Sequence, residues 1–460
     1  MVTSLFSGAR QRPCWRARAR ISAGGPEGPL PANGVQSASD RPTPTESKET
    51  HVSTTRRYRV GGQFAWVSGG RILAALIQAL IMLVLVRAVS PAEFGFFAAV
   101  YGVLTVVQTF FDFGLPTLVV RERAKKANPA LVTAALHLNN GLSLAMGMML
   151  VVVIGLLGFV VDPQFFLLLP LGVWAAAERN ADAWLGVIFA DGDARINTTN
   201  LVSRRIGNLA LFSVLIFSTG IDPVLAFGVS SAVAACASWV FAHLYVRTRL
   251  APAERISPTV LMRMSYPYWI NSVATQARNL DATIIGFVAG TAQAGFYAAA
   301  ARLTSPLRIL PTSLASVLLP ASATRNSSNM RGLLRLVAYV VGGMAAFYLV
   351  LGLAVPFVVP VVLGEAYAGA IPALQITAVG LVFAAAASLL GSLLQGVGLK
   401  HYVAGTAVLT TVVCLAGVGI GGFLWGAIGA AAGLAFSYLI QSIVLVTRLT
   451  TFILRKEPNR

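Results

Sequence analysis

Four stretches of this chain place charged or amide side chains inside otherwise apolar sequence. Asp112 lies in the run DFGLP. Glu178, Arg179, Asn180 and Asp182 are close neighbours. Asn271, Gln276, Arg278 and Asp281 form a third group, and Arg302 and Arg308 a fourth. Polar groups in apolar surroundings are expensive unless paired, wet or put to use. Arg278 and Asp281 are three residues apart, as are Arg179 and Asp182, so each pair shares a helix face and can neutralise itself. Arg302 and Arg308 have no acid within a helical turn. They need a carboxylate from another helix, water or an anion. A guanidinium suits a phosphate because its planar fork makes two parallel hydrogen bonds. The candidate binding set is therefore Arg278, Arg302, Arg308, Asp281, Asn271, Gln276, Arg179 and Asp112. One reading is that these charges fix helix packing. The other is that they line a hydrated cavity with surplus arginine. Arg71, Arg204 and Arg205 lie nearer the ends of their apolar runs and read as snorkelling to an interface.

The elements that must hold these residues follow from composition. The chain has 460 residues, of which 56% are hydrophobic and 11% charged, against about 25% charged in soluble domains. A bilayer crossing needs about 20 mostly apolar residues. Twelve such runs are predicted, at 66–87, 94–118, 136–161, 165–189, 201–220, 223–246, 265–289, 292–319, 334–363, 367–396, 402–424 and 426–447. The fold class is an all-α polytopic membrane protein. Arginine and lysine recur in the connections after the second, fourth, sixth, eighth and tenth runs, as at Arg121, Arg195, Arg247, Arg325 and Lys400. The intervening connections carry none, apart from Arg87 at the end of the first run. Positive charge marks the cytoplasmic side, so both termini are expected there.

AEFGFFAA at 92–99 returns as AQAGFYAA at 292–299, matching Gly95 with Gly295 and Phe96 with Phe296. Six runs separate the copies, which preserves their orientation. The expectation is two parallel six-helix bundles around a central cavity, related by an axis along the membrane normal. The N-terminal bundle is 59–247, the linker 248–263 and the C-terminal bundle 264–449, with a cytoplasmic tail at 450–460. Residues 1–58, rich in Arg, Pro, Ser and Gly, read as a disordered basic cytoplasmic tail. A downstream start and contact with anionic lipid are the alternatives. Pro267, Pro306, Pro311, Pro356 and Pro360 can bend their helices. Gly426, Gly429 and Gly433 let a neighbour come close.

Other classes fall away. The net charge of +18 is spread between apolar runs rather than gathered on a nucleic-acid-binding face, so no nucleic-acid partner is expected. Cys14, Cys236 and Cys414 and the scattered histidines have no metal-ligand spacing. No metal site or cofactor is expected. The chain holds no Walker A motif, so it is not expected to hydrolyse ATP.

SPAEFGFFAAV followed by DFGLPTLVVRE resembles the second-helix signature of bacterial polysaccharide exporters of the O-antigen flippase type. DATIIGFVAGTAQAGFYAAAARL resembles their seventh- and eighth-helix signature, with Asp281, Gly295, Tyr297 and Arg302 in the typical places. VLGEAYAGAIPALQI, LLQGVGLKHY and GAIGAAAG resemble later segments. The resemblance covers roughly 60–450. It implies the multidrug/oligosaccharidyl-lipid/polysaccharide exporter superfamily, a transporter rather than an enzyme. The implied cargo is a polyprenyl-pyrophosphate-linked oligosaccharide moved across the plasma membrane for surface polysaccharide such as lipopolysaccharide or exopolysaccharide. The implied partners are that lipid-linked cargo and the bilayer, with a polysaccharide polymerase as a candidate. The alternatives are a cation-coupled multidrug exporter of the same superfamily and a membrane polysaccharide polymerase or ligase. The short outer connections disfavour the last.

Overall fold

The computed structural model describes residues 50–456, apart from 126–127, 251, 253–255 and 324–326. The side chains of 50–65, 271, 316–317, 319–331, 400 and 452–456 also lie outside the described residues. Most of the stretch read as a disordered tail, 1–49, is therefore outside them. The described residues are almost entirely helical and contain no strand.

The first part of the chain supplies α1 (Thr50–Ala88), α2 (Pro91–Phe111), α3 (Leu115–Lys125), α4 (Pro129–Val160), α5 (Leu169–Ala190), α6 (Ala194–Thr219) and α7 (Pro223–Arg247). The second supplies α8 (Pro258–Gln276), α9 (Asp281–Ala289), α10 (Thr291–Thr304), α11 (Ile309–Ala323), α12 (Ser327–Val362), α13 (Ile371–Gly396) and α14 (Lys400–Lys456). The helix α8 opens at Pro258, inside the stretch predicted as linker. Several helices begin with proline, whose missing N–H costs nothing in a first turn. Ser90, Asn128 and Asp222 precede such prolines and accept from first-turn N–H groups. Ser90 and Glu93 complete a reciprocal capping box.

Large apolar side chains such as Phe159, Phe217, Phe287, Leu353 and Phe357 point outward, as they do where the solvent is hydrocarbon. Alanine is common among the buried residues beside leucine and aromatic side chains, and at positions such as Gly95, Gly147 and Gly172 helices approach closely on glycine. Among the described residues, eight helices are long and apolar enough to cross a bilayer. The other predicted crossings are interrupted or charged. Glu178, Arg179 and Asp182 sit within α5. Tight 3-10 turns separate α8 from α9 and α10 from α11. The last two predicted runs share α14, which breaks at Trp425 and Gly426. There the Gln293 side chain accepts the Ala427 N–H at 2.9 Å. The two arms of α14 then fold back on glycine: added Cβ atoms on Gly429 and Gly433 would overlap the backbone of Gly421 and Gly417. The close approach expected at Gly429 and Gly433 is thus met by the preceding arm.

Arg87, the exception in the charge pattern, has a local use. Its guanidinium donates to the Val361 carbonyl at 2.6 Å and the Val362 carbonyl at 3.1 Å. It caps the end of α12, whose last carbonyls have no helical donor.

Candidate functional site: a cavity of tyrosine-stacked arginines

The two 3-10 turns place the arginines. Ala277–Leu280 carries Arg278, and Ser305–Arg308 carries Arg308, with Arg302 just before it. Pro306 lacks an N–H, which favours the break at that point. Arg278 and Arg308 converge on one ring: their guanidinium carbons lie 5.1 and 5.3 Å from the centroid of Tyr438 in α14. Arg302 reaches the other way, 5.3 Å over Tyr101 of α2. Tyr101 in turn stacks on Trp174 at 5.1 Å. A cation over an aromatic face is attracted by the ring quadrupole yet keeps its N–H groups for other partners.

These residues enclose a cavity of about 160 Å³, whose lining includes Arg278, Asp281, Tyr297, Arg302, Thr304, Arg308 and Tyr438. A second space of about 220 Å³ adjoins it through Arg302 and Ser305 and adds Gln78, Tyr101 and Arg205. Of the four arginines across the two, Arg205 pairs with Glu178 at 3.0 Å, which leaves Arg278, Arg302 and Arg308 with one lining acid, Asp281. Among the described residues, no carboxylate comes within ion-pair distance of Arg278, Arg302 or Arg308. The Nε and Nη2 atoms of Arg278 are buried without a hydrogen-bond partner. Asp281 accepts from the Tyr297 hydroxyl at 2.9 Å and from the Ala282 N–H at 2.7 Å. The expected Arg278–Asp281 pair does not form, because tyrosines engage both members.

The charges of the first part of the chain are arranged differently. Arg179 pairs with Asp112 at 3.2 Å, not with Asp182 as its spacing predicts. Asp182 pairs with Arg204 at 3.0 Å, and Glu178 with Arg205 at 3.0 Å and Arg204 at 3.5 Å. Trp174 also donates to Glu178 at 3.1 Å. Asp112 has a structural task. Its carboxylate accepts the Gly114 N–H at 2.7 Å, fixing the corner between α2 and α3. Phe113 and Gly114 both have positive φ there, 46° and 72°. An added Cβ on Gly114 would meet the Trp269 backbone nitrogen.

Of the candidate residues, Arg278, Arg302, Arg308 and Asp281 come together in one cavity. Gln276 accepts from Asn279, a lining residue, at 3.1 Å. Arg179 and Asp112 pair with each other outside the cavity lining. The Asn271 side chain lies outside the described residues. Arg204 does not snorkel: its side chain is 3% exposed. Arg205 is the residue the sequence reading missed. Its depth at the start of a predicted crossing suggested an interface, whereas α6 begins seven residues earlier and carries it inward. The tyrosines at 101 and 438 were also missed, since nothing in their spacing separates a ring under a guanidinium from ordinary core.

The architecture is that of a multi-pass membrane protein with the fold of MOP superfamily transporters. An inward-facing multidrug resistance MATE family transporter matches with a TM-score of 0.66 at 16% identity, covering 86% of this chain and 96% of that one. The outward-facing form of such a transporter matches with a TM-score of 0.62 at 15% identity, covering 86% and 97%. A MOP superfamily transporter from Pyrococcus furiosus, described by the reverse polarity of its binding pocket, matches at 0.61 and 14% identity, covering 85% and 95%. At these identities the likeness is one of fold. No curated protein matches. A family model does: residues 60–325, more than half of the chain, match the polysaccharide biosynthesis protein family. The chain belongs to that family.

Proposed function

We propose that this protein is a flippase of the bacterial plasma membrane, carrying a polyprenyl-pyrophosphate-linked oligosaccharide from the inner to the outer leaflet. Family and fold both support a membrane exporter. The observation that supports this cargo is the surplus of unpaired arginine over acid in the joined cavities: Arg278, Arg302 and Arg308 against Asp281, with Arg205 held by Glu178. Arginines stacked on tyrosine keep donors for a pyrophosphate, and Asn279, Thr304 and Ser305 offer hydrogen bonds to sugars. An apolar groove of about 430 Å³ between α1, α12 and the α10–α11 break borders the cavity at Thr304. It gives a prenyl chain a dry path to the bilayer while its headgroup sits among the arginines.

Twelve crossings fit this reading. They take α2 with α3, α8 with α9 and α10 with α11 as one crossing each, and α14 as two. Both termini then lie in the cytoplasm, and the two sets of six rock about the cavity in alternating access. Binding of a lipid-pyrophosphate oligosaccharide to the purified protein tests the assignment. Replacing Arg278, Arg302 and Arg308 together by alanine should abolish detectable binding and leave the substrate's repeat unit on the cytoplasmic leaflet. Unchanged affinity and unchanged transport would sink it. Export of a cationic dye that survives the triple substitution would favour the multidrug reading instead.

A further inference from the structure

A further cavity lies away from the arginine site. It is a groove of about 660 Å³ between α6 and α7. Its outer lips, Val233 and Phe241, are 51% and 45% exposed, so it opens toward the bilayer. Its floor is made of small residues. An added Cβ on Gly207 would meet nothing within 4 Å. Along α6 the groove runs from Arg195 to Leu211, about 24 Å at 1.5 Å per residue. That is the length of a phosphate, a glycerol backbone and most of an acyl chain.

Polarity changes along that length in the same order. At one end stand Arg195 and Tyr245. Tyrosine favours the headgroup level. Asp193 is already taken by Arg249, at 2.8 Å, and this hydrogen bond raises the pKa of the guanidinium, which also lies 4.2 Å over the Tyr245 ring. Arg195 itself is exposed and has no acidic partner among the described residues. About one helical turn deeper come Asn200, bonded to Ser238 at 2.6 Å, then Ser203 and Arg204. The Nε and Nη1 atoms of Arg204 are buried with no hydrogen-bond partner, although its side chain is 3% exposed. Beyond Gly207 the lining is apolar: Leu211, Val233, Ala234.

We propose that this groove is a binding site for an anionic glycerophospholipid of the leaflet on the Arg195 side, the cytoplasmic leaflet in the orientation proposed above. Arg195 meets the phosphate. Ser203 and the free donors of Arg204 meet the ester carbonyls. One acyl chain fills the groove over Gly207. The site rests on the membrane location of the chain and not on the identity of its cargo.

The test uses the full-length purified protein and two probes, dioleoyl phosphatidylglycerol and dioleoyl phosphatidylcholine, with bound lipid counted by native mass spectrometry. The wild-type chain should retain one phosphatidylglycerol with about fivefold preference, the scale of one arginine's attraction to a lipid of net negative charge, about 1 kcal/mol, because the choline cation of phosphatidylcholine cancels the charge of its phosphate. Arg195→Gln should remove the preference. Gly207→Leu, which puts a side chain into open space on an exposed helix face, should reduce retention of both lipids. Ala237→Leu repeats that test from α7. An unchanged lipid ratio in Arg195→Gln would overturn the proposal. So would full retention in both leucine variants while they remain monodisperse. A polyprenyl phosphate that displaces phosphatidylglycerol at equal concentration would also overturn it, because the groove would then belong to the cargo.

Discussion

The two parts of the chain treat the charges within their helices in opposite ways. Around α5 and α6, Asp112, Glu178 and Asp182 each meet an arginine within 3.2 Å. Around the α8–α9 and α10–α11 breaks, arginines meet tyrosine rings instead, and the one acid meets a hydroxyl. A carboxylate neutralises a guanidinium and takes some of its donors. A ring shelters the cation and leaves the donors free. Charge is thus paired with charge in the first arrangement and left without an ion pair at Arg278, Arg302 and Arg308 in the second.

The comparison can be broken most sharply at Arg204. Its removal leaves Asp182, whose side chain is 43% exposed, without its ion pair and Glu178 with Arg205 alone, a loss of about 1–3 kcal/mol. Arg204→Met should lower the melting temperature, and retention of wild-type stability would show that the cluster is not structural. Arg302→Gln should do the reverse. It should preserve stability but weaken binding of a pyrophosphate lipid by about 10- to 100-fold, the loss of about 1.5–3 kcal/mol in charge-assisted hydrogen bonds. A calorimetric titration checks this, and equal destabilisation by the two variants would erase the distinction. Tyr438→Leu sharpens it further. Loss of the ring under Arg278 and Arg308 should weaken the same binding by about 0.5–2 kcal/mol, while Tyr438→Phe should keep most of it. The smallest effect is expected at the Arg123–Asp191 pair, 2.6 Å apart at the protein surface with side chains 19% and 22% exposed. Exposed pairs contribute about 0–1 kcal/mol, so Asp191→Asn should shift the melting temperature barely, if at all.

Much of the helical layout was legible in the sequence because apolar runs and the rhythm of arginine and lysine are long-range signals. The breaks were only partly so. Pro306 announces one, but nothing marks the 3-10 turn at Arg278. Pairing was the least legible. Spacing suggested Arg179 with Asp182 and Arg278 with Asp281, since residues three apart share a face. The choice was made by residues from distant helices, Asp112, Arg204, Tyr297 and Tyr438, which no local spacing can reveal. Arg205 was hidden for a related reason: the depth of a residue depends on where its helix starts, and α6 starts earlier than its apolar run.

The repeated octapeptide has a further consequence. Its two copies touch: an added Cβ on Gly95 would strike the Thr291 carbonyl and approach the Gly295 nitrogen, and one on Gly295 would strike the Pro91 carbonyl. At this crossing main chain lies against main chain, with no side chain between Gly95 and Gly295 to stretch or swing. If the chain works by alternating access as proposed, this joint would act as a latch with two settings, and spin labels at the exposed, matching positions Ala92 and Ala292 should report two separate distances during turnover rather than one broad distribution.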